Sequence, residues 1–562
     1  MTDDLGADLI LRNARVITVD DDFTVAGAVA VRGERILAVG ADADMDALAG
    51  AATRIIDAGG KAVVPGLVDG HAHMDREGLK DVYPSLEGAR SIDDVLARIE
   101  ALAARAAPGE WIVTMPVGDP PYYWDVPDIL AEKRFPNRWD LDGVAPDNPV
   151  YIRPIWGFWR HTLPLVSIAN SRALDVAGIT RATPDPSPTV KIERDASGEP
   201  TGVFVENTYI PIVELTLMRA SGGFVHEDRV RGLKASMRAY HAAGTTSIYE
   251  EHGIAAEVLA AYKTLWERGE LTMRCNLVFS PAWDAVDGVP LATLMPRWAA
   301  WLAGRGLGDD RLRMGGIYTE ISTNIDNALR AQASPYTGWG GFNYDSSLER
   351  RQVKELLLEA ARNDIRVNAI WPDVLELYKE VNAEIPLAGR GWVFGHIAVL
   401  RPADIEAIAE MGLVLTTHTN RHIFKEGHLR RDEAGEGAEN DVVPLRSLID
   451  AGVPFGLATD NVPVSMFHPI WHCVARYNRQ IDGAIAPAQA IARAEALRAA
   501  TMGGAALSLE QNEKGSLEPG KLADLAVLSD DPLTCDEDAL KDITADLTMV
   551  GGRIVHERED GG

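Results

Sequence analysis

Two histidines one residue apart close an apolar run at Pro65-Gly66-Leu67-Val68-Asp69-Gly70-His71-Ala72-His73. Alternate residues of an extended strand point the same way, so both imidazoles leave the strand's end on one side and can reach one cation. Two chance surface histidines would read the same; the Pro-Gly lead-in and the pair's place on the first apolar strand after a β-rich opening weigh against that. A second run, Phe455-Gly456-Leu457-Ala458-Thr459-Asp460, ends in a carboxylate. Such a group can bind a metal, accept a proton from its water and pass that proton to a leaving nitrogen. Thr-Asp after a strand is also a common helix cap, so Asp460 gains its weight from closing the last strand. Between them, Trp392-Val393-Phe394-Gly395-His396 ends another strand in a histidine. It reads as a metal ligand, as the group polarising a scissile carbonyl, or as a satisfied core histidine.

The elements that must position these groups are short β-branched runs alternating with helical stretches. Strands are expected over residues 66–69, 245–249, 273–279, 313–318, 366–370, 392–394, 413–416 and 454–458. Helices over 348–363 and 402–411 carry apolar residues at three and four spacing. Eight βα units predict a (β/α)₈ barrel spanning residues 65–511. The stretch 75–240 is too long for one βα connection and is expected as an insertion over the barrel mouth. Residues 9–19, 24–32, 35–39 and 53–58 read as short β elements, as do 522–528 and 547–555 around Gly551-Gly552. Neither end has strands enough for a core of its own, so residues 1–64 and 512–562 are expected to form one small composite β-sandwich.

The chain of 562 residues is 46% apolar, enough for a large core, and too long for one ordinary domain. Its formal charge of −28, from 55 basic and 83 acidic residues, would repel phosphate backbones and anionic lipid, which argues against nucleic acid and membrane partners. No run is apolar for the length of a bilayer span, and residues 1–19 lack the basic start of a secretory signal, so a cytoplasmic protein is expected. Cys275, Cys473 and Cys535 lie far apart and form no short ligand or redox motif.

The paired histidines, the single histidine and the final aspartate, in that order inside a split sandwich, resemble the amidohydrolase superfamily. Segments of the insertion, among them Gly109-Glu110-Trp111-Ile112, Asn170-Ser171-Arg172-Ala173-Leu174 and Gly198-Glu199-Pro200-Thr201-Gly202, resemble the amidohydrolase 3 branch that contains N-substituted formamide deformylase. The resemblance covers nearly the whole chain. It implies that His71 and His73 are ligands of one metal, that His396 is the sixth strand's histidine and that Asp460 is the catalytic aspartate. Two positions depart from the branch. Tyr318 stands where a carboxylated lysine usually bridges two metals, and Asn368 stands where the fifth strand usually carries a histidine.

One divalent ion is therefore expected, zinc ahead of manganese or iron, held by His71, His73, His396 and Asp460 with an open position for water. A two-metal site would need a carboxylate in the lysine's place. Glu320 lies two residues beyond Tyr318, and Glu250, Glu251 and His252 end the second strand; each reads equally as a solvated residue or as a partner that orients a ligand. His418 and His422, after the seventh strand, are placed to touch substrate or to serve as polar loop residues. Rings crowd the insertion, Trp111, Tyr122, Tyr123, Trp124, Trp139, Trp156, Phe158 and Trp159; they pack a lid or, facing the mouth, favour an aromatic or apolar small molecule. The expected reaction is hydrolysis of a carbon–nitrogen bond in an amide, cyclic amide or N-substituted formamide by metal-bound hydroxide, with Asp460 shuttling the proton and His396 or the ion steadying the oxyanion. The alternatives are deamination, decarboxylation or carbon–carbon hydrolysis in the same barrel, and a degenerate barrel that binds without turnover. The resemblance also implies a homodimer.

Overall fold

Eight strands run parallel in chain order: Leu67–Asp69, Thr245–Ile254, Arg274–Phe279, Leu312–Tyr318, Val367–Ala369, Val393–Ile397, Val414–Thr417 and Phe455–Leu457. In the computed structural model, which describes residues 6–559 apart from 287, 323–325, 327, 328, 330, 331, 334, 335, 344 and 345, each strand pairs with the next in parallel register. Ser247 lies opposite Arg274, Ile317 opposite Val367 and Thr416 opposite Gly456. The strands read as continuous apolar runs because both faces are covered: helices pack outside and side chains fill the inside. Arg350–Arg362 buries Val353, Leu356, Leu357 and Ala360 along one stripe, and Pro402–Met411 begins at a proline and ends where Gly412 takes φ 61°. The eight expected strands and both expected helices overlap these elements. The fold is a (β/α)₈ barrel.

The first and eighth strands meet. Gly70 N–H donates to Leu457 O at 2.8 Å and Asp460 N–H to His71 O at 3.0 Å. Asp69, fully buried, accepts from Thr459 N–H at 3.0 Å, from His71 N–H at 3.1 Å and from the Thr459 hydroxyl. Burial pushes the Asp69 carboxyl up to about 6, against the pull of those hydrogen bonds. A Cβ at position 70 would sit 2.8 Å from Leu507 Cδ1 and 2.9 Å from Leu457 O, so the close approach of these strands needs glycine.

Two further sheets are built from the chain ends. One orders Arg35–Gly40, Ala28–Arg32, Ala7–Arg12 and Ala49–Asp57; the other orders Arg553–Glu557, Ala545–Val550, Leu525–Leu528, Ala62–Pro65, Arg15–Ile17 and Val25–Ala26. The N-terminal strand Ala62–Pro65 pairs antiparallel with the C-terminal strand Leu525–Leu528, with Val64 opposite Ala526. Leu9, Leu11, Val29 and Val31 of the first sheet share one core with Val63, Leu525, Val527 and Met549 of the second, which makes a β-sandwich of both ends. The run read as one element over 9–19 is broken at Asn13, which takes φ 49°, and its halves enter different sheets. The first five and last three residues of these terminal segments lie outside the described residues.

A second compact unit comprises Asp75–Leu233 and Ser322–Asp345. Its five-stranded sheet orders Val190–Arg194, Pro200–Glu206, Leu165–Ala169, Val150–Ile152 and Ile112–Thr114. Tyr123, Trp156 and Trp159 are buried in it, with Tyr123 stacked on Trp159 at 5.4 Å, while Trp139 is exposed. The buried Arg153 pairs with Glu214 and lies 4.6–4.8 Å from the ring centres of Tyr83, Phe224 and Trp339. Several of the insertion's rings therefore pack its interior.

The barrel and sandwich are pinned by charge. Arg274, opening the third barrel strand, reaches Asp524 through Nε at 2.7 Å and Nη2 at 3.0 Å, and both side chains are buried. Burial pushes the Asp524 carboxyl up, but the guanidinium and the Gly551 N–H outweigh it and hold the group below its ordinary range. Asp524→Ala would leave the buried Arg274 without its bidentate partner though still paired with Asp310 at 2.5 Å, and is expected to cost about 1.5–3 kcal/mol. Urea unfolding of the variant beside the wild type reads this as a lower midpoint; an unchanged midpoint would exclude the pairing as a stabilising contact.

Candidate metal centre

The strand ends converge imidazoles and carboxylates on one place. His71, fully buried, donates Nδ1–H to Glu251 Oε2 at 2.7 Å, and its Nε2 lies 2.9 Å from His73 Nε2. A carboxylate can only accept, so this contact puts the His71 proton on Nδ1 and leaves the Nε2 lone pair for an electrophile. Burial alone would lower the His71 pKa, yet the hydrogen bond and charge of Glu251 outweigh it and raise the value, so an ion binding at Nε2 displaces a proton there. His73 Nε2 lies 3.2 Å from Asp460 Oδ1. Asp460 Oδ2 lies 3.7 Å from His418 Nδ1, and the Asp460 side chain keeps 13% exposure.

These residues leave their strands through bends in the left-handed region: His73 takes φ 52°, His396 φ 54° and Asp460 φ 55°. Each such bend costs a residue with a Cβ roughly 1 kcal/mol or more, and local contacts hold it. Glu250 accepts from the backbone N–H groups of His73 at 3.1 Å and Met74 at 2.8 Å, and from the Tyr262 hydroxyl at 2.9 Å. Glu251 accepts a second hydrogen bond from the Thr416 hydroxyl at 2.6 Å. A Cβ at position 395 would overlap Glu251 Oε1, so the residue before His396 must be glycine.

His396 and His418 face each other with ring centres 3.7 Å apart; His71 lies 4.9 Å from the first and 4.5 Å from the second. Burial, with the positive fields of neighbouring groups, pushes both well below the ordinary histidine pKa, so both rings are neutral. Among the described residues, no ring nitrogen of His396 or His418 has a hydrogen-bond partner. A buried polar group left unmet costs about 1–3 kcal/mol, and the one lone pair that each of these two neutral rings carries suits a cation. Ligand atoms of His71, His396 and His418 all lie within 4.8 Å of one another, as do those of His71, His73 and His252. This nitrogen-rich set with a carboxylate beside it fits a divalent ion of zinc type.

The structure thus brings together His71, His73, His396, His418, Asp460, Glu251 and His252. His252 packs against Tyr318 at 4.7 Å. Two expected candidates have other engagements: Glu320 accepts from the Tyr318 hydroxyl at 3.0 Å and from the Trp371 indole at 2.9 Å, and Asn368 Oδ1 accepts from the Tyr249 hydroxyl at 2.7 Å. The sequence reading assigned no role to Asp69, Thr416 or Tyr262. Asp69 stands two residues before the His-x-His pair, a carboxylate ending an apolar strand, which is its signal; Thr416 and Tyr262 carry no local signal.

A parallel eight-stranded barrel with histidines and an aspartate gathered at its strand ends defines a class of hydrolytic enzymes. A family model described as amidohydrolase family matches residues 54–556, and the chain belongs to that family; it is an enzyme acting on carbon–nitrogen bonds other than peptide bonds. N-substituted formamide deformylase of Arthrobacter pascens is 28% identical over 98% of this chain and 98% of its own length. A putative amidohydrolase, YtcJ, of Bacillus subtilis is 25% identical over 90% and 91%. A solved metal-dependent hydrolase of Pyrococcus horikoshii superposes with a TM-score of 0.66 at 19% identity, covering 94% of this chain and 99% of that one, a likeness of fold.

Glu251 sets the His71 tautomer without needing to touch the ion. Glu251→Ala is expected to lower zinc affinity about 10–100-fold with the fold intact, and Glu251→Gln, whose amide oxygen still accepts, to recover part of it. Chelator competition measures both; equal affinities in all three proteins would remove this role.

Proposed function

We propose that this enzyme hydrolyses the carbon–nitrogen bond of an uncharged small amide, N-substituted formamides foremost, with one divalent ion, zinc first, held by His71, His73, His396 and Asp460. The observation that carries this reading is the Asp460 carboxylate, 3.2 Å from His73 Nε2 and partly open, with His396 and His418 close by, whose buried ring nitrogens have no hydrogen-bond partner among the described residues. The formamide preference rests on the deformylase relative, similar along its whole length. A bound divalent ion supplies Lewis acidity, which makes water nucleophilic near neutral pH and polarises a carbonyl.

The chain's own groups do the rest. Asp460 accepts a proton from the attacking water and delivers it to the departing amine nitrogen as the carbon–nitrogen bond breaks, giving an acid and an amine. Glu251 keeps the His71 proton on Nδ1. His396, neutral through burial, keeps a lone pair for the ion. The tyrosine and the amide at positions 318 and 368, engaged with Glu320 and Tyr249, favour one ion over two. Among the described residues no helix is long and apolar enough to cross a membrane, and Cys275, Cys473 and Cys535 are all unpaired, which supports a cytoplasmic setting.

Asp460→Asn is expected to reduce turnover of an N-substituted formamide by at least about 10³-fold, even when assayed with enough added zinc to fill the site as in the wild type. Chelation of the wild type should abolish the same activity, and zinc should restore it. Full activity in Asp460→Asn, or activity indifferent to chelation, would refute the assignment.

A further inference from the structure

We propose that His418, at the end of the seventh barrel strand, is a ligand of the same divalent ion as His71 and His396, supplying the imidazole that Asn368 cannot. The proposal rests on the metal-dependent reading above and extends its ligand set to a strand that reading does not use.

Three observations carry it. Ligand atoms of His71, His396 and His418 lie within 4.8 Å of one another, a little wider than the span of about 4.2 Å that two nitrogens on one ion can reach at about 2.1 Å each, so a small inward shift of the rings completes the shell. His418 is 1% exposed, and neither of its nitrogens has a hydrogen-bond partner among the described residues; the same holds for the nitrogens of His396 opposite it. A histidine serving only as packing would leave an N–H and a lone pair unmet in each ring, and a cation relieves the lone pairs of both at once. Asn368 is ill suited to this place: its carbonyl oxygen already accepts from the Tyr249 hydroxyl at 2.7 Å, and an amide is a poor donor to a zinc-type ion. The other compact triad, His71 with His73 and His252, has its third member packed against the Tyr318 ring and less deeply buried than His418.

The Asp460 carboxylate, 3.7 Å from His418 Nδ1, adds negative charge on the same side. An ion shared by His71, His396 and His418 would then lie beside the group that handles the proton. Strand seven would contribute to the metal centre, and not only to the wall around the substrate.

The test uses the full-length protein loaded with zinc or cobalt(II), with metal affinity read by chelator competition and the ligand field by the visible spectrum of the cobalt form. Wild type is expected to bind one ion per chain. His418→Ala and His418→Gln should weaken binding at least about 10-fold and shift the cobalt bands, with circular dichroism unchanged, whereas His422→Ala should leave affinity within about twofold. Wild type that takes up no ion would overturn the metal reading itself. Wild-type affinity and spectrum retained in both His418 variants, with only KM raised, would leave that reading standing and overturn this one. A zinc-loaded crystal of the wild type decides the point without a variant: zinc at about 2.1 Å from a His418 nitrogen supports the proposal, and zinc beyond bonding distance overturns it.

Discussion

The seam between the first and eighth barrel strands is the contact on which the site depends. Residues 390 positions apart are brought together there by Asp69, whose buried carboxylate accepts from the Thr459 backbone and from its hydroxyl. The next link, Asp460 N–H to His71 O at 3.0 Å, ties the proton-handling residue to the first histidine by backbone. A hydrogen bond between main chains fixes a distance far more tightly than one between long side chains, which lose rotamer freedom to hold it. The geometry of His71, His73 and Asp460 follows from barrel closure, and closure at this point requires the glycine at position 70.

Around that seam the protein holds its reactive side chains in costly conformations. His73, His396 and Asp460 all sit at positive φ, and the buried ring nitrogens of His396 and His418 have no hydrogen-bond partner among the described residues. The two glutamates that end the second strand stabilise the arrangement in different ways. Glu250 gathers the backbone N–H groups of the turn after His73, and Glu251 orients the His71 ring. Sites that concentrate strain and unsatisfied polarity in this way depend on a rigid scaffold, and the barrel supplies one.

Much of this is legible in the sequence because parallel strands covered on both faces appear as short unbroken apolar runs, and the residue ending such a run falls at the barrel's functional rim. That is why the places of His71, His73, His396, His418 and Asp460 could be read directly. Contacts between rim residues could not. The link from Glu251 to His71 joins positions 180 apart, and that of Asn368 to Tyr249 joins positions 119 apart; neither follows from local pattern, since hydrogen bonds across a barrel depend on which neighbours the strand order supplies. The break at Asn13 was missed because asparagine enters the left-handed region without a glycine or proline to announce it. The joining of residues 322–345 with the 75–233 segment likewise leaves no mark in composition.

The pairing of Ala62–Pro65 with Leu525–Leu528 has a consequence for biosynthesis. The opening strands emerge from the ribosome long before their partners exist, so the early sheet must wait with an unpaired edge while several hundred residues are translated. During that interval the early sheet keeps an open edge, and Leu525–Leu528 supplies the strand that pairs it. A chain ending between Leu528 and Ala545 would lose strands Ala545–Val550 and Arg553–Glu557, and with them part of the sandwich core, although every residue of the candidate metal centre would still be present.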